Sequence, residues 1–185
     1  MKILILAALI TLSVVILTEV DGYNFGDIIS VNKQRCKITY KHFAIYVGKE
    51  PMKDKDPEQD IFHRTGKKKS PKDCGFGKLS ELNNPVVDNY LDDILKDEGK
   101  PAVLNTTLIK ARIEQWYNNC GDYAVRRNNC EHLATHVRYG YNVSKQKGTC
   151  AEWLCNLNVI KSCEEFKIRM KALNDNEEDG PSCNN

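Results

Sequence analysis

Cys130 heads the helix-like run NNCEHLATHVRYG, residues 128–140. Asn129 is a good N-cap and Gly140 a good C′ residue, so the run predicts a helix whose first residue is the cysteine. A sulfur at that position faces unpaired backbone N–H groups and the positive end of the helix dipole. Both favour an anion and predict a depressed thiol pKa. Nucleophilic attack is therefore one chemistry open to Cys130; a disulfide or a metal ligand are the others. A nucleophile also needs a base, and the base needs an orienter. The chain has four histidines. His132 and His136 share the cysteine's own helix and are expected to point away from its tip. His42 and His63 lie on strand-like segments that should pair, so two imidazoles can sit side by side, one taking the thiol proton and the other holding the ring.

The segments that must position these groups are short. GDIISV (26–31), CKITY (36–40), HFAIYVG (42–48) and DIFHR (60–64) carry the β-branched and aromatic residues of strands. The last two form an antiparallel hairpin with a long polar tip over 49–60. A slip of one residue in its register would turn His63 to the other face. Residues 67–85 read as loop, 86–96 as a short helix with apolar positions at 87, 91, 94 and 95, and 100–105 as a strand. TLIKARIEQWYN (107–118) has helical apolar spacing, and GDYAVRR (121–127) alternates like a strand. Residues 146–173 form a cysteine-bearing helical extension, and 174–185 an acidic, polar tail expected to be disordered.

Met1-Lys2 followed by the apolar run 3–17 and by TEVDG reads as a secretory signal, cut after Gly22. The run falls short of the roughly 20 residues a spanning helix needs. The location expected is secreted, or the lumen of the secretory pathway. Eight cysteines behind such a leader suggest disulfides. An even number would pair completely and consume Cys130, whereas a free Cys130 leaves one of the others odd, most easily Cys183 in the tail. No cysteine pair has zinc-knuckle spacing, and Glu131 stands on the wrong side of His132 for a zinc protease, so no metal is expected. The net charge of +2 is too small for a nucleic-acid footprint. Asn105-Thr106-Thr107 and Asn142-Val143-Ser144 are candidate glycosylation sites, which would place Asn105 and Asn142 at the surface.

Taken together, Gly26-Asp27-Ile28-Ile29, YKHFAIYVG (40–48), DIFHR (60–64) and NNCEHLATHVRYG (128–140) resemble, in order and separation, the motifs of the lecithin:retinol acyltransferase family, including its H-Ras-like suppressor branch of phospholipases and acyltransferases. The resemblance covers about residues 24–145. It implies an α+β fold with a small antiparallel sheet packed against helices, a permuted relative of papain-like and NlpC-type thiol hydrolases. A catalytic domain over 23–145 follows.

By position, the resemblance makes Cys130 the nucleophile, His42 the general base and His63 the orienter of His42. Tyr40, two residues before His42 and so on its strand face, becomes a candidate oxyanion donor beside the Cys130 backbone N–H. The implied reaction is acyl transfer from a phospholipid or other lipid ester through a thioester on Cys130, with water or another acceptor finishing it and no cofactor. Two features depart from the family pattern: a longer connection between the histidines, and a cysteine-bearing polar tail where relatives carry an apolar anchor. Trp153, Leu154, Leu157 and Ile160 could give a weak membrane-surface contact, although ordinary core packing explains their spacing. Other readings remain open: an NlpC-type cell-wall peptidase or amidase, or a disulfide-stabilised binding domain that has lost the reaction.

Overall fold

The computed structural model describes residues 22–35, 38–65, 73–100, 105–124, 128–145, 165 and 168–172. The expected leader before Gly22, the strand expected over 100–105 for most of its length, the candidate membrane-contact residues 153–160 and the tail lie outside the described residues, as do Cys36, Cys150, Cys155, Cys163 and Cys183.

The strands are β1 (Ile28–Arg35), β2 (Ile38–Tyr46), β3 (Ile61–Arg64), β4 (Cys74–Gly77) and β5 (Val86–Val87). They form one sheet in the order β4-β3-β2-β1-β5, every neighbouring pair antiparallel. The helices are α1 (Asp92–Asp97), α2 (Thr106–Trp116) and α3 (Cys130–Tyr139). The expected α+β class is what forms.

Alternation along β2 divides the molecule. Phe43 and Ile45, with Val47 beyond the strand, join Ile28 and Phe62 in the main core, which α2 and α3 close with Ile109, Ile113, Leu133 and Val137. Ala44 and Tyr46 face the other way and join Ile29 and Ile61 in a smaller cluster. Met170, from the C-terminal extension, is buried in the main core, so at least this part of the extension docks on the domain.

Several sequence expectations change. The two segments at 36–40 and 42–48 merge into one strand, because β1 pairs with all of it, from Arg35 opposite Ile38 to Ile28 opposite Ile45. Residues 67–85, expected as loop, contain β4 and a 3-10 turn over Leu79–Glu81. CGFG has almost none of the composition of a strand and pairs as an edge on β3. The helix expected over 86–96 starts at Asp92, because the β-branched Val86 and Val87 instead add to the free edge of β1. The strand expected over 121–127 reduces, among the described residues, to a single bridge between Ala124 and Asn128.

Two fastenings fix α3. Arg138 is buried and donates to the Gly26 carbonyl at 2.7 Å, to Asp27 at 3.3 Å and to Asp92 at 2.8 Å. It thereby ties the end of α3 to the start of β1 and to α1. Gly140 then ends the helix at φ +82°, a left-handed position that suits glycine. At the other end, a disulfide joins Cys74 on β4 to Cys120, across a sequence separation of 46 residues.

A cross-link of that span removes substantial unfolded-state entropy. Replacing both cysteines (Cys74→Ala with Cys120→Ala) is expected to lower the unfolding free energy by about 2–4 kcal/mol in urea titration. A loss below about 0.5 kcal/mol would show that the bridge fastens nothing.

Candidate active site

The last paired residues of β2 and β3 in the direction of His42 are Ala44 and His63. Beyond them the two strands part. The edge of β2 that faces β3 is the one presented by its odd residues, as shown by the Val47 N–H bonding Asp60 across to the β3 side. The Phe43 N–H and the Lys41 C=O therefore point to the β3 side just beyond the last described rung of the ladder. The sulfur of Cys130 takes that place: it accepts from the Phe43 N–H and lies 4.0 Å from the Lys41 carbonyl, to which its S–H points. Cys130 is a free, buried thiol. Asn129 caps α3 as the sequence implies, accepting from the N–H of Glu131 at 2.9 Å and of His132 at 3.0 Å.

On β2, His42 alternates with Phe43 and so projects to the face that carries Ala44 and Tyr46. Cys130 belongs to the cluster of Phe43. In a closed ladder the sheet would stand between imidazole and thiol. The split puts the sulfur into the plane of the sheet, against the peptide units on either side of His42. Across the same split, His42 Nε2 and His63 Nδ1 are 2.9 Å apart, a diagonal cross-strand pair. The expected register is thus the one that forms. Room for the His63 ring comes from Gly77 on β4, where a Cβ would lie 2.7 Å from His63 Nε2.

The thiol does not have the depressed pKa that its helix position suggests. Burial pushes it up to about 11, outweighing the N–H groups of Phe43, Cys130 and Glu131, which act in the opposite direction. The helix terminus does supply amides, but the expectation omitted desolvation. His42 is driven down to about 3 by burial, then by His63 and Lys33. A thiolate–imidazolium pair would thus cost on the order of 10 kcal/mol, against about 4 kcal/mol of mutual attraction at contact distance. The resting pair is neutral on both sides.

The other residues singled out in the sequence fall in distinct places. Tyr40 lies on β2 opposite Lys33 and is 44% exposed, at the outer end of the face that carries His42. His132 does not point away from the helix tip: its Nδ1 accepts from the Asn129 backbone N–H at 3.5 Å and completes a capping box. His136 meets the edge of Trp116. Asn105 is exposed and caps α2 through the Leu108 N–H, and Asn142 is exposed. Among the described residues, Asp73, Cys74 and Cys120 cluster closely enough for a metal, but the two sulfurs are bonded to each other. Two residues that act on or with the thiol electrostatically, Arg64 and Tyr123, escaped sequence reading, and Glu131 entered it only through its place in the helix motif. Arg64 and Tyr123 carry no motif spacing, and Arg64 is distinguished only by being a charge placed next to His63 on a strand.

The Lecithin retinol acyltransferase family profile matches residues 22–143. The chain belongs to that family. It is 28% identical to human lecithin retinol acyltransferase over 168 residues, covering 81% of this chain and 64% of the human protein. The bovine protein of the same name is 29% identical over 82% of this chain and 65% of its own length. The mouse protein is 27% identical over 69% of this chain and 59% of its own length. The chain thus spans rather less than two thirds of the relatives it matches.

In this family member, Glu131, directly after the thiol, is fully buried. It accepts from Tyr90 Oη at 2.8 Å, Ser144 Oγ at 2.5 Å and Lys145 N–H at 2.9 Å. It fastens the chain leaving the domain to the first turn of α3. Burial raises its pKa from 4.5 to about 7, against the pull of those hydrogen bonds and of Lys145. The folded chain therefore holds a proton, between about 4.5 and 7, that the unfolded chain has released. Stability from Glu131 is full below that window and is lost as pH rises through about 7. His42 and His132, driven down to about 3 and about 4, act in the opposite sense, so the effect must be read as a difference. Relative to wild type, Glu131→Gln is expected to gain on the order of 3 kcal/mol of unfolding free energy between pH 4.5 and 7.5. Parallel stability profiles for the two proteins would rule this out.

Proposed function

We propose that the chain is a secreted thiol acyltransferase or phospholipase A acting on lipid esters through a thioester on Cys130. The observation that carries the proposal is the free sulfur at the head of α3, lodged in the strand split beside the His42–His63 pair. Relatives named for lecithin and retinol support a lipid ester as acyl donor and an alcohol as acceptor.

The tautomers follow from the geometry. His42 must offer a lone pair, so its Nε2 carries the hydrogen and donates to His63 Nδ1. The free lone pair is then on Nδ1, the ring nitrogen nearer the backbone and so nearer a sulfur that rests against the flanking peptides. As the sulfur attacks the ester carbonyl, its proton passes to Nδ1. The imidazolium that forms is steadied by its Nε2–H bond to His63. The tetrahedral oxygen is met by the N–H at the head of α3, with Tyr40 as the second candidate donor. Collapse breaks the ester C–O bond, and the lysophospholipid leaves with the proton from Nδ1. Water or an acceptor alcohol then gives its proton to Nδ1, attacks the thioester and restores the thiol.

Substrate access fits a lipid. Val87, Ile29, Ala44 and His63 form one cross-strand row on the face of the histidines. That face ends in exposed apolar side chains, Val87 at 44% and Tyr40 at 44%. The Cys74–Cys120 bridge supports passage through an oxidising compartment, and exposed Asn105 and Asn142 suit glycosylation there.

The test supplies phosphatidylcholine vesicles with and without retinol. Retinyl ester is the product expected with the alcohol present, and free fatty acid plus lysophospholipid without it. Cys130→Ala is expected to abolish both, and His42→Ala to lower the rate by about 10²–10⁴-fold. Equal turnover in wild type and Cys130→Ala would refute the proposal. Cleavage of muropeptides without any acyl product would point instead to the cell-wall amidase reading.

A further inference from the structure

Arg64 follows His63 on β3 and is 1% exposed. Its Nη1 donates to Asp73 Oδ1 at 3.1 Å, and its Nη2 to the Cys120 carbonyl at 2.5 Å and the Gly121 carbonyl at 3.1 Å. The Cys120 carbonyl also accepts from Asn128 Nδ2 at 2.7 Å, and that side chain reaches the Asp122 carbonyl at 2.9 Å. The guanidinium therefore holds the turn that delivers Asn128, Asn129 and then Cys130. In the register of β2 and β3, Arg64 would stand opposite Phe43. The Phe43 N–H goes to the sulfur instead, so on β2 the sulfur takes the place that the Arg64 backbone would have in a continued ladder.

We propose that Arg64 is the positioning residue of the nucleophile: it holds the segment entering α3 and places a fixed positive charge beside the sulfur, which steadies the thiolate as its proton leaves. The inference rests on the reading of Cys130 as the nucleophile.

Holding the turn does not by itself call for a charge. The Cys74–Cys120 disulfide already fastens that turn to β4, at the residue whose carbonyl Arg64 binds. Burying an ion pair costs several kcal/mol unless every group is satisfied. Here Arg64 Nε and Asp73 Oδ2 are buried with no hydrogen-bond partner among the described residues. An uncharged donor would have held the carbonyls at lower cost. What the guanidinium adds is its field at the first turn of α3: Cys130 helps keep Arg64 charged, and Arg64 helps keep His132 neutral. The ring of Tyr123, 5.4 Å from the guanidinium carbon, covers the outer side. A cation beside a developing thiolate acts without moving, which is the most effective form of electrostatic support.

The test is the pH dependence of Cys130 alkylation by iodoacetamide on the full chain, read by quantifying the peptide that contains Cys130. Loss of the charge in Arg64→Gln is expected to raise the thiol pKa by about one unit, a tenfold change in the thiolate fraction. Arg64→Lys, which keeps the charge and loses the paired carbonyl bonds, is expected to stay within about 0.3 unit of wild type while lowering the melting temperature. A folded Arg64→Gln protein with the wild-type profile overturns the inference. Should Arg64→Gln not fold, Asp73→Asn decides: it keeps an acceptor for Nη1 and removes the opposing charge, so the thiol pKa falls, and an unchanged profile overturns the inference. Alkylation needs no turnover. A wild type that transfers no acyl group therefore defeats the acyl-transfer reading alone, and a wild type that turns over with an Arg64-independent thiol pKa defeats this inference alone.

Discussion

Where the described ladder between β2 and β3 ends, the sulfur of Cys130 enters: it accepts from the Phe43 N–H and points its S–H at the Lys41 carbonyl. Buried peptide groups must find partners, and a thiol is a weak one, so the site rests on a compromise in the ladder. Much of the surrounding structure serves this insertion. Asn129 caps the helix so that its first residue can enter the split. Arg138 pins the far end of α3 to β1 and α1, which fixes the depth of entry. The disulfide and Arg64 fix the turn from the other side. Gly77 leaves room for the His63 ring, and with it for the bond that orients His42.

The same insertion sets the protonation state. A sulfur lodged between strands is dry, and dryness outweighs the helix terminus: the thiol stays protonated and the imidazole neutral. The arrangement is closer to a serine-type site, where the base works during attack, than to a preformed thiolate–imidazolium pair. A protonated thiol is also the less easily oxidised form, because thiols are inert and thiolates are not.

Much of the candidate site's geometry was legible because it is written in local patterns. Asn129 before Cys130, and Gly140 after Tyr139, fix the helix and its direction. His42 and His63 stand on strands whose alternation requires one register, and that register forms. What could not be read depends on three-dimensional context. The pKa of Cys130 turns on how deeply the thiol is buried. β4 is written in glycines that make a poor strand but leave the space His63 requires. His132 looked like a bystander on the helix and is its cap. The partners of Glu131 come from Tyr90 and from Ser144-Lys145, one of them 41 residues away. The merging of two expected strands into β2 reflects the length of β1, which no property of residues 36–48 discloses.

The most direct measurement is to incubate the full chain with radiolabelled phosphatidylcholine, quench, and treat the protein with hydroxylamine, which cleaves thioesters and spares ordinary amides. Label that is protein-bound and hydroxylamine-labile in wild type and absent from Cys130→Ala is the predicted result. Label absent from both, with peptide mapping under non-reducing conditions showing Cys130 joined to another cysteine, would contradict it.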